Sequence, residues 1–217
     1  MTAPVGATTH EVPAWRGLTH EIAIVPAAIA TVVLAARASS LLGTVAMAIH
    51  GGSLVLLLVT SAVYHRHCRD ETTRRLARRA DHAAIFVLIA GSYVPMTLLV
   101  VPSPVSIILL VVVLAVATRG VVMKLMHLEL GQDRFHSWLY AALGWGGVVL
   151  VPWVITEAGW VTLIFVVIGG AAYTIGGLVL IAKRPNPFPA TFGYHEIWHV
   201  FVLIGAAVHL GVSASVV

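Results

Sequence analysis

The sequence predicts an all-α integral membrane protein, a bundle of seven transmembrane helices with a cytoplasmic N-terminus and an external C-terminus. Three observations predict this fold: the composition, the recurrence of long apolar runs, and the distribution of basic residues. Of the 217 residues, 59% are hydrophobic and only 10% are charged. A soluble domain carries about 25% charged residues. The chain therefore has too little polar material to face water on all sides.

The apolar runs extend from Ile22 to Val217, and each is close to the ~20 residues that a helix needs to cross the hydrocarbon core. Their limits give seven predicted spans: residues 20–37, 42–65, 82–100, 104–122, 137–155, 160–182 and 193–215. No linker, repeat or low-complexity stretch divides them. Residues 1–19 are therefore predicted to form a short cytoplasmic segment, and residues 20–217 a single seven-transmembrane domain.

The basic residues orient this bundle, because connections rich in Lys and Arg stay cytoplasmic. One side holds the N-terminus and the connections between spans two and three, four and five, and six and seven. That side carries all of the 13 Lys and Arg residues except Arg37. The net charge of +4 is explained by this topology, so the expected partners are membrane lipids and not nucleic acid. The expected location is the plasma membrane.

A layer of polar side chains is predicted at the cytoplasmic end, where ionisable groups within spans mark candidate sites. Spans two, three and seven bring to this depth Ser61, His65, Asp81, His82, His195, Glu196 and His199. His195 and His199 are four residues apart and share a helix face. Together with His65 they offer three neutral nitrogen ligands, a set that suits Zn²⁺ with a fourth position for water or a carboxylate. The alternative is a set of interfacial histidines that extend toward the headgroups.

Three further histidines have open roles. His20, beside Glu21 near the inner end of span one, either joins the same layer or is an interfacial group. His50 and His209 fall deeper in spans two and seven, where they either form hydrogen bonds within the bundle or line a cavity.

Residues 195–199 (HEIWH) match the H-E-x-x-H pattern of zinc proteases, in which the glutamate activates a zinc-bound water. Such enzymes usually take a third ligand from a position downstream of the motif. After His199 the chain has no Asp or Glu, and its only further histidine is His209, on the same helix. The motif therefore favours a zinc-binding pair and argues against a protease. Glu196 would equally favour the positive N-terminus of span seven.

Longer motifs occur in order along the chain: residues 61–65 (SAVYH), residues 81–95 (DHAAIF through AGSYVP), and residues 169–176 (GGAAYTIG) continuing to the HEIWH motif. They resemble the signatures of the haemolysin III branch of the progestin and adipoQ receptor family. The sequence departs from bacterial relatives at Arg66-His67-Cys68, and this departure puts only loop contacts in doubt.

The resemblance implies a seven-helix bundle with its N-terminus inside and zinc held by His65, His195 and His199. It places Asp81 at the metal, either as a direct ligand or through the bound water, and Ser61 in the same layer. The family is related to the adiponectin receptors and to the alkaline ceramidases, which cleave lipid amides.

Three functions follow as hypotheses. The first is a zinc-dependent hydrolase of a lipid amide or ester, with Asp81 as general base, Ser61 as donor to the oxyanion and the bundle holding a fatty-acyl ligand. The second is a non-enzymatic sensor or regulator of membrane state, in which structural zinc joins spans two, three and seven. The third is the pore-forming lysin that the family name suggests. It is disfavoured because the span centres carry almost no charged or amide side chains.

Overall fold

The computed structural model describes residues 13–127 and 133–217, which form a bundle of helices. The α-helices are α1 (Leu18–Arg37), α2 (Leu41–Ala62), α3 (Glu71–Val100), α4 (Val105–His127), α5 (Asp133–Trp145), α6 (Val151–Trp153), α7 (Gly159–Ala182) and α8 (Tyr194–Ala214). A π-helical turn, Val63–His67, continues α2, while a 3-10 segment (Gly146–Leu150) and a second π turn (Val154–Ala158) connect α5, α6 and α7. Among the described residues the only β-type pairing is the single bridge between Phe188 and Phe192. The all-α prediction is therefore confirmed.

Six helical runs in the described ranges are long and apolar enough to cross a membrane: Leu18–Arg37, Leu41–His67, Glu71–Val100, Val105–Met126, Trp138–Ala182 and Tyr194–Ala214. The predicted spans 137–155 and 160–182 lie together in the run Trp138–Ala182, so the prediction of seven separate spans is not confirmed. Of the predicted N-terminal segment 1–19, residues 1–12 lie outside the described ranges, and α1 already begins at Leu18.

Aliphatic side chains cover the outer surface of the bundle. Val32 is 69% exposed and Val161 is 68% exposed, whereas Phe86, Met47 and Leu58 are fully buried between the helices. Soluble monomers rarely expose large continuous apolar surfaces. This distribution of apolar side chains is therefore the one expected for helices surrounded by lipid.

The connection predicted between spans two and three is shorter in the structure, because α3 begins at Glu71. The Asp70 side chain caps this helix by accepting a hydrogen bond from the Thr73 N–H (2.8 Å), and Glu71 pairs with Arg75 (3.1 Å). Hydrogen bonds from the Thr73 side chain and backbone hold the pKa of Asp70 below its usual range. Hydropathy detects only the apolar part of a helix, so this polar first part of α3 was missed.

Contacts between connections define two ends of the bundle. At the N-terminal end, residues 13–17 lie along the connection between α7 and α8, where the Ala14 N–H donates to the Ala190 carbonyl (3.0 Å). At the C-terminal end, the Ser39 N–H donates to the Val217 carbonyl (3.0 Å), so the connection between α1 and α2 binds the last residue. The predicted polar layer lies at the N-terminal end.

Candidate metal centre

Three histidines meet at the N-terminal end of the bundle. His65, His195 and His199 each present a ring nitrogen, and these nitrogens lie within 4.8 Å of one another. The Nε2 atoms of His65 and His195 are 3.4 Å apart. The ring centroid of His199 lies 4.7 Å from that of His195 and 5.2 Å from that of His65. The structure thus brings together the three histidines predicted as ligands, while their binding of a metal stays a prediction.

Local helix geometry presents these rings to one another. His65 lies in the π turn Val63–His67, which continues α2 to its end. His195 and His199 lie in the first two turns of α8, which begins at Tyr194. Residues four apart face the same side of a helix, so α8 directs both rings toward the end of α2.

The donor set fits zinc. Imidazole nitrogens bind tetrahedral Zn²⁺ at about 2.0–2.1 Å, which places two such nitrogens about 3.4 Å apart. The Nε2 atoms of His65 and His195 have this separation. Nδ1 of His199 is buried and has no hydrogen-bond partner among the described residues. Three imidazole donors with one further position are the pattern of catalytic zinc sites, whereas structural sites use four protein ligands.

Asp81 and Ser61 lie beside this group without belonging to it. The Ser61 hydroxyl interacts with the Asp81 carboxyl group, and Nδ1 of His20 lies 2.9 Å from the Ser61 Oγ. The His20 ring stacks on the His199 ring, with centroids 3.9 Å apart and planes within 8° of parallel. Continuous contacts therefore run from the Asp81 carboxyl group through Ser61 and His20 to a predicted metal ligand.

Glu196, the glutamate of the H-E-x-x-H match, has both carboxylate oxygens occupied. Oε1 accepts a hydrogen bond from Nε of Arg16 (2.6 Å), and Oε2 accepts one from the Gly193 N–H (2.8 Å). The Glu196 side chain is only 1% exposed. It therefore caps α8 and binds Arg16, in agreement with the predicted preference for the helix N-terminus. A protease glutamate must instead reach the zinc-bound water.

Residues that precede α1 pack directly on the layer. Gly17 has a φ of 75°, a conformation that glycine adopts readily and L side chains rarely do. A Cβ atom on Gly17 would lie 2.7 Å from the Cβ of His65. Any other residue at this position would therefore be strained and would also displace a predicted ligand.

The segment Arg66-His67-Cys68, where the sequence departs from the family pattern, contacts the start of α1. Arg66 forms an ion pair with Glu21 (2.5 Å), and Nε2 of His67 lies 2.8 Å from the other Glu21 oxygen. These contacts join the end of α2 to α1 and leave His65 in the group of three.

His50 and His209 lie toward the C-terminal end, apart from this layer. Nδ1 of His50 lies 2.9 Å from the Oγ of Ser213, whose hydroxyl donates to the His209 carbonyl (3.0 Å). The His209 Nε2 donates to the Val166 carbonyl (3.1 Å). Of the two roles left open by the sequence, the structure favours hydrogen bonding within the bundle.

Two contacts of the site were not found from the sequence. Arg16 was interpreted only as a topology signal, although a basic residue just before span one lies at the same end as Glu196. His20 was left between two roles. Its depth at the inner end of span one was the available signal, but depth does not specify which neighbour a ring faces.

Comparison with known proteins identifies one family. The family model described as haemolysin-III related matches residues 9–210. The chain is 31% identical over 198 residues to a hemolysin-3 homolog of Bacillus subtilis (strain 168), with 88% of each chain covered. It is 27% identical over 198 residues to hemolysin-3 of Bacillus cereus, covering 88% of this chain and 85% of that protein. It is also 25% identical over 195 residues to the human monocyte to macrophage differentiation factor, covering 88% and 78%.

Proposed function

This chain is a multi-pass membrane protein of the haemolysin III family, and we propose that it is a zinc-dependent hydrolase of lipid amides or esters. The single observation that supports this proposal most strongly is the group of three histidines with Asp81 linked to it through Ser61 and His20. A metal-binding set next to a carboxyl group is the minimum that metal-assisted hydrolysis requires. We place its action at the cytoplasmic leaflet of the plasma membrane, where the basic connections are predicted to lie.

His65, His195 and His199 would hold the zinc. When bound, zinc would act as a Lewis acid and would lower the pKa of its bound water toward 7. The Asp81 carboxylate takes the proton of the attacking water and later gives it to the leaving amine or alkoxide, as the carbonyl carbon gains an oxygen and loses its nitrogen or ester oxygen. Because the Ser61 hydroxyl interacts with the Asp81 carboxyl group, we assign Ser61 to holding this carboxylate. The other role predicted for Ser61, donation of a hydrogen bond to the oxyanion of the substrate, would require its hydroxyl to turn away from Asp81.

The test is hydrolysis by the full chain in lipid nanodiscs, with a fluorescent long-chain N-acyl sphingosine and a matched long-chain ester as probes. We expect release of the labelled fatty acid, loss of release after zinc chelation, and recovery when zinc returns. A zinc-loaded, folded protein that cleaves neither probe would contradict the hydrolase. That result would instead favour a regulator in which the zinc is structural.

We also propose that the run Trp138–Ala182 crosses the membrane twice, which gives seven spans. A straight helix of these 45 residues would be about 68 Å long, more than twice the ~30 Å hydrocarbon core. Gly159 interrupts the run with a φ of 84° and a ψ of 166°. The Tyr140 hydroxyl donates to the His82 carbonyl at the N-terminal end (2.9 Å), whereas the Leu143 carbonyl accepts from the hydroxyl of Tyr93 (2.6 Å), about three turns further along α3.

The second half of this run returns along α8. Gly169 contacts the His209 ring, and Gly176 contacts Trp198 and the Cβ of Phe201. As residue numbers rise on α7 they fall on α8, so the two helices are antiparallel. Because α8 runs away from the N-terminal end, α7 runs toward it, which supports a reversal of direction near Gly159.

Cysteine labelling in intact cells tests this topology, because the chain has only one cysteine, Cys68. With Cys68 replaced by serine, Glu157→Cys is expected to react with a membrane-impermeant maleimide. Native Cys68, on the predicted cytoplasmic side, should react only after permeabilisation. An unreactive Glu157→Cys in intact cells that becomes reactive after permeabilisation would contradict the predicted orientation.

A further inference from the structure

We propose that His20 is a positioning residue of the histidine layer, which sets the plane of the His199 ring and the direction of the Ser61 hydroxyl. The proposal rests on the zinc-dependent function above. His20 lies outside the group of three predicted ligands, and it acts through two neighbours. It therefore differs from the catalytic and ligand residues predicted from the sequence.

The first neighbour is His199. The two rings are stacked, with centroids 3.9 Å apart and planes at 8° to each other, and both residues are 3% exposed. In a close-packed interior, a ring held flat against another at this distance cannot tilt without displacing its neighbour. Ring orientation decides where the imidazole lone pair points. His20 therefore fixes the direction in which His199 offers its nitrogen.

The second neighbour is Ser61, which is buried at 1% exposure and whose Oγ lies 2.9 Å from Nδ1 of His20. A serine hydroxyl has one hydrogen, and a carboxylate only accepts. We therefore assign the N–H at Nδ1 of His20 as the donor to Ser61, which leaves the Ser61 hydrogen for the Asp81 carboxylate.

His20 thus contacts both functional parts of the proposed site. One is the predicted metal ligand His199 on α8, and the other is Ser61 on α2, which holds the proposed general base Asp81 of α3. Residues that orient metal-binding histidines and carboxylates affect the metal strongly, and their loss typically costs about 10–100-fold in affinity or activity. A histidine that only filled space between α1, α2 and α8 would affect stability and leave metal affinity unchanged.

The pair of His50 and Ser213 provides a matched control. It has the same Nδ1–Oγ distance of 2.9 Å, His50 is equally buried at 1% exposure, and the pair lies toward the C-terminal end. Substitution of His50 therefore removes the same kind of contact from the same bundle without touching the histidine layer.

The experiment measures zinc affinity by chelator competition, the absorption spectrum of the Co²⁺-loaded protein, and the apo-protein Tm, with the full chain in nanodiscs. His20→Phe keeps a ring to stack on His199 but loses the bond to Ser61. His20→Asn keeps a donor near the Nδ1 position but loses the ring. We expect each to weaken zinc binding by about ten-fold or more and to alter the Co²⁺ spectrum. His50→Phe should lower the Tm and leave affinity within about two-fold.

A third variant, Ser61→Ala, keeps both histidines and releases the His20 ring from its anchor. It is expected to fold and to weaken zinc binding less than either His20 variant, and it serves as the test where those variants do not fold. Wild-type affinity and an unchanged Co²⁺ spectrum in all folded variants would overturn the positioning role alone. A folded wild type that binds no metal would overturn the proposed function and, with it, the role of His20.

Discussion

Replacement of His199 by alanine is expected to remove zinc from the purified protein, from about one ion per chain to almost none. His199 is buried in the group of three, and its loss leaves only His65 and His195 on facing elements. We expect the fall in affinity to exceed the roughly 100-fold that loss of an orienting partner causes, because a nitrogen ligand itself is removed. Mass spectrometry of the metal content, with protein quantified in the same sample, measures the number of zinc ions per chain directly.

The matched control for this substitution is His209→Ala, on the same helix. His209 donates to the Val166 carbonyl and lies against Tyr173, so its loss should weaken the packing of α7 on α8 and leave zinc in place. Zinc retained in His199→Ala would show that the three histidines are not the ligand set. Zinc lost equally from both variants would indicate a general effect of unfolding.

Much of this fold could be predicted because lipid imposes simple rules on sequence. Apolar runs located most of the long helices, since a span needs a minimum apolar length. The same rule failed at Glu71–Ala80, where the helix continues beyond the apolar region on polar residues with an Asp70 cap. The rule also divided the run Trp138–Ala182 at residues 156–159, where the structure has a π turn that ends at the interruption of Gly159.

The depth of each site histidine along its span could be predicted from the sequence, but the direction in which its ring points could not. Span order and the i, i+4 spacing were enough to bring His195 and His199 to the level of His65. Which neighbour each ring faces depends on helix rotation and on the π turn at Val63–His67, and neither can be obtained from hydropathy. For that reason the contacts of His20 with His199 and Ser61 became visible only in three dimensions.

Replacement of Asp81 by asparagine is expected to reduce turnover of the lipid probe by about 10²–10⁴-fold, the usual contribution of general acid–base catalysis. Asparagine has nearly the same shape and still accepts a hydrogen bond from Ser61, but it does not take up the proton. Steady-state release of the labelled fatty acid, measured beside zinc content, tests this result. Zinc should remain if Asp81 acts through water, and should fall together with turnover if Asp81 is a direct ligand.

The control for this change is Asp70→Asn, at the cap of the same helix. Asparagine caps helices about as well as aspartate, and Asp70 lies on the exposed connection before α3, so turnover should not change. Full turnover in Asp81→Asn would contradict its role as base.

The contrast with Glu196→Gln separates this mechanism from that of a zinc protease. In the structure, Glu196 holds Arg16 with one oxygen and the Gly193 N–H with the other. Glutamine keeps an acceptor for the Gly193 cap and loses the charge that pairs with Arg16. The Tm is therefore expected to fall, because a buried ion pair with one partner neutralised is less stable than the complete pair. Turnover per folded molecule should remain at the wild-type level.

If turnover were instead lost in Glu196→Gln and kept in Asp81→Asn, the H-E-x-x-H glutamate would be the base. The Glu196 side chain would then have to leave Arg16 to reach the water.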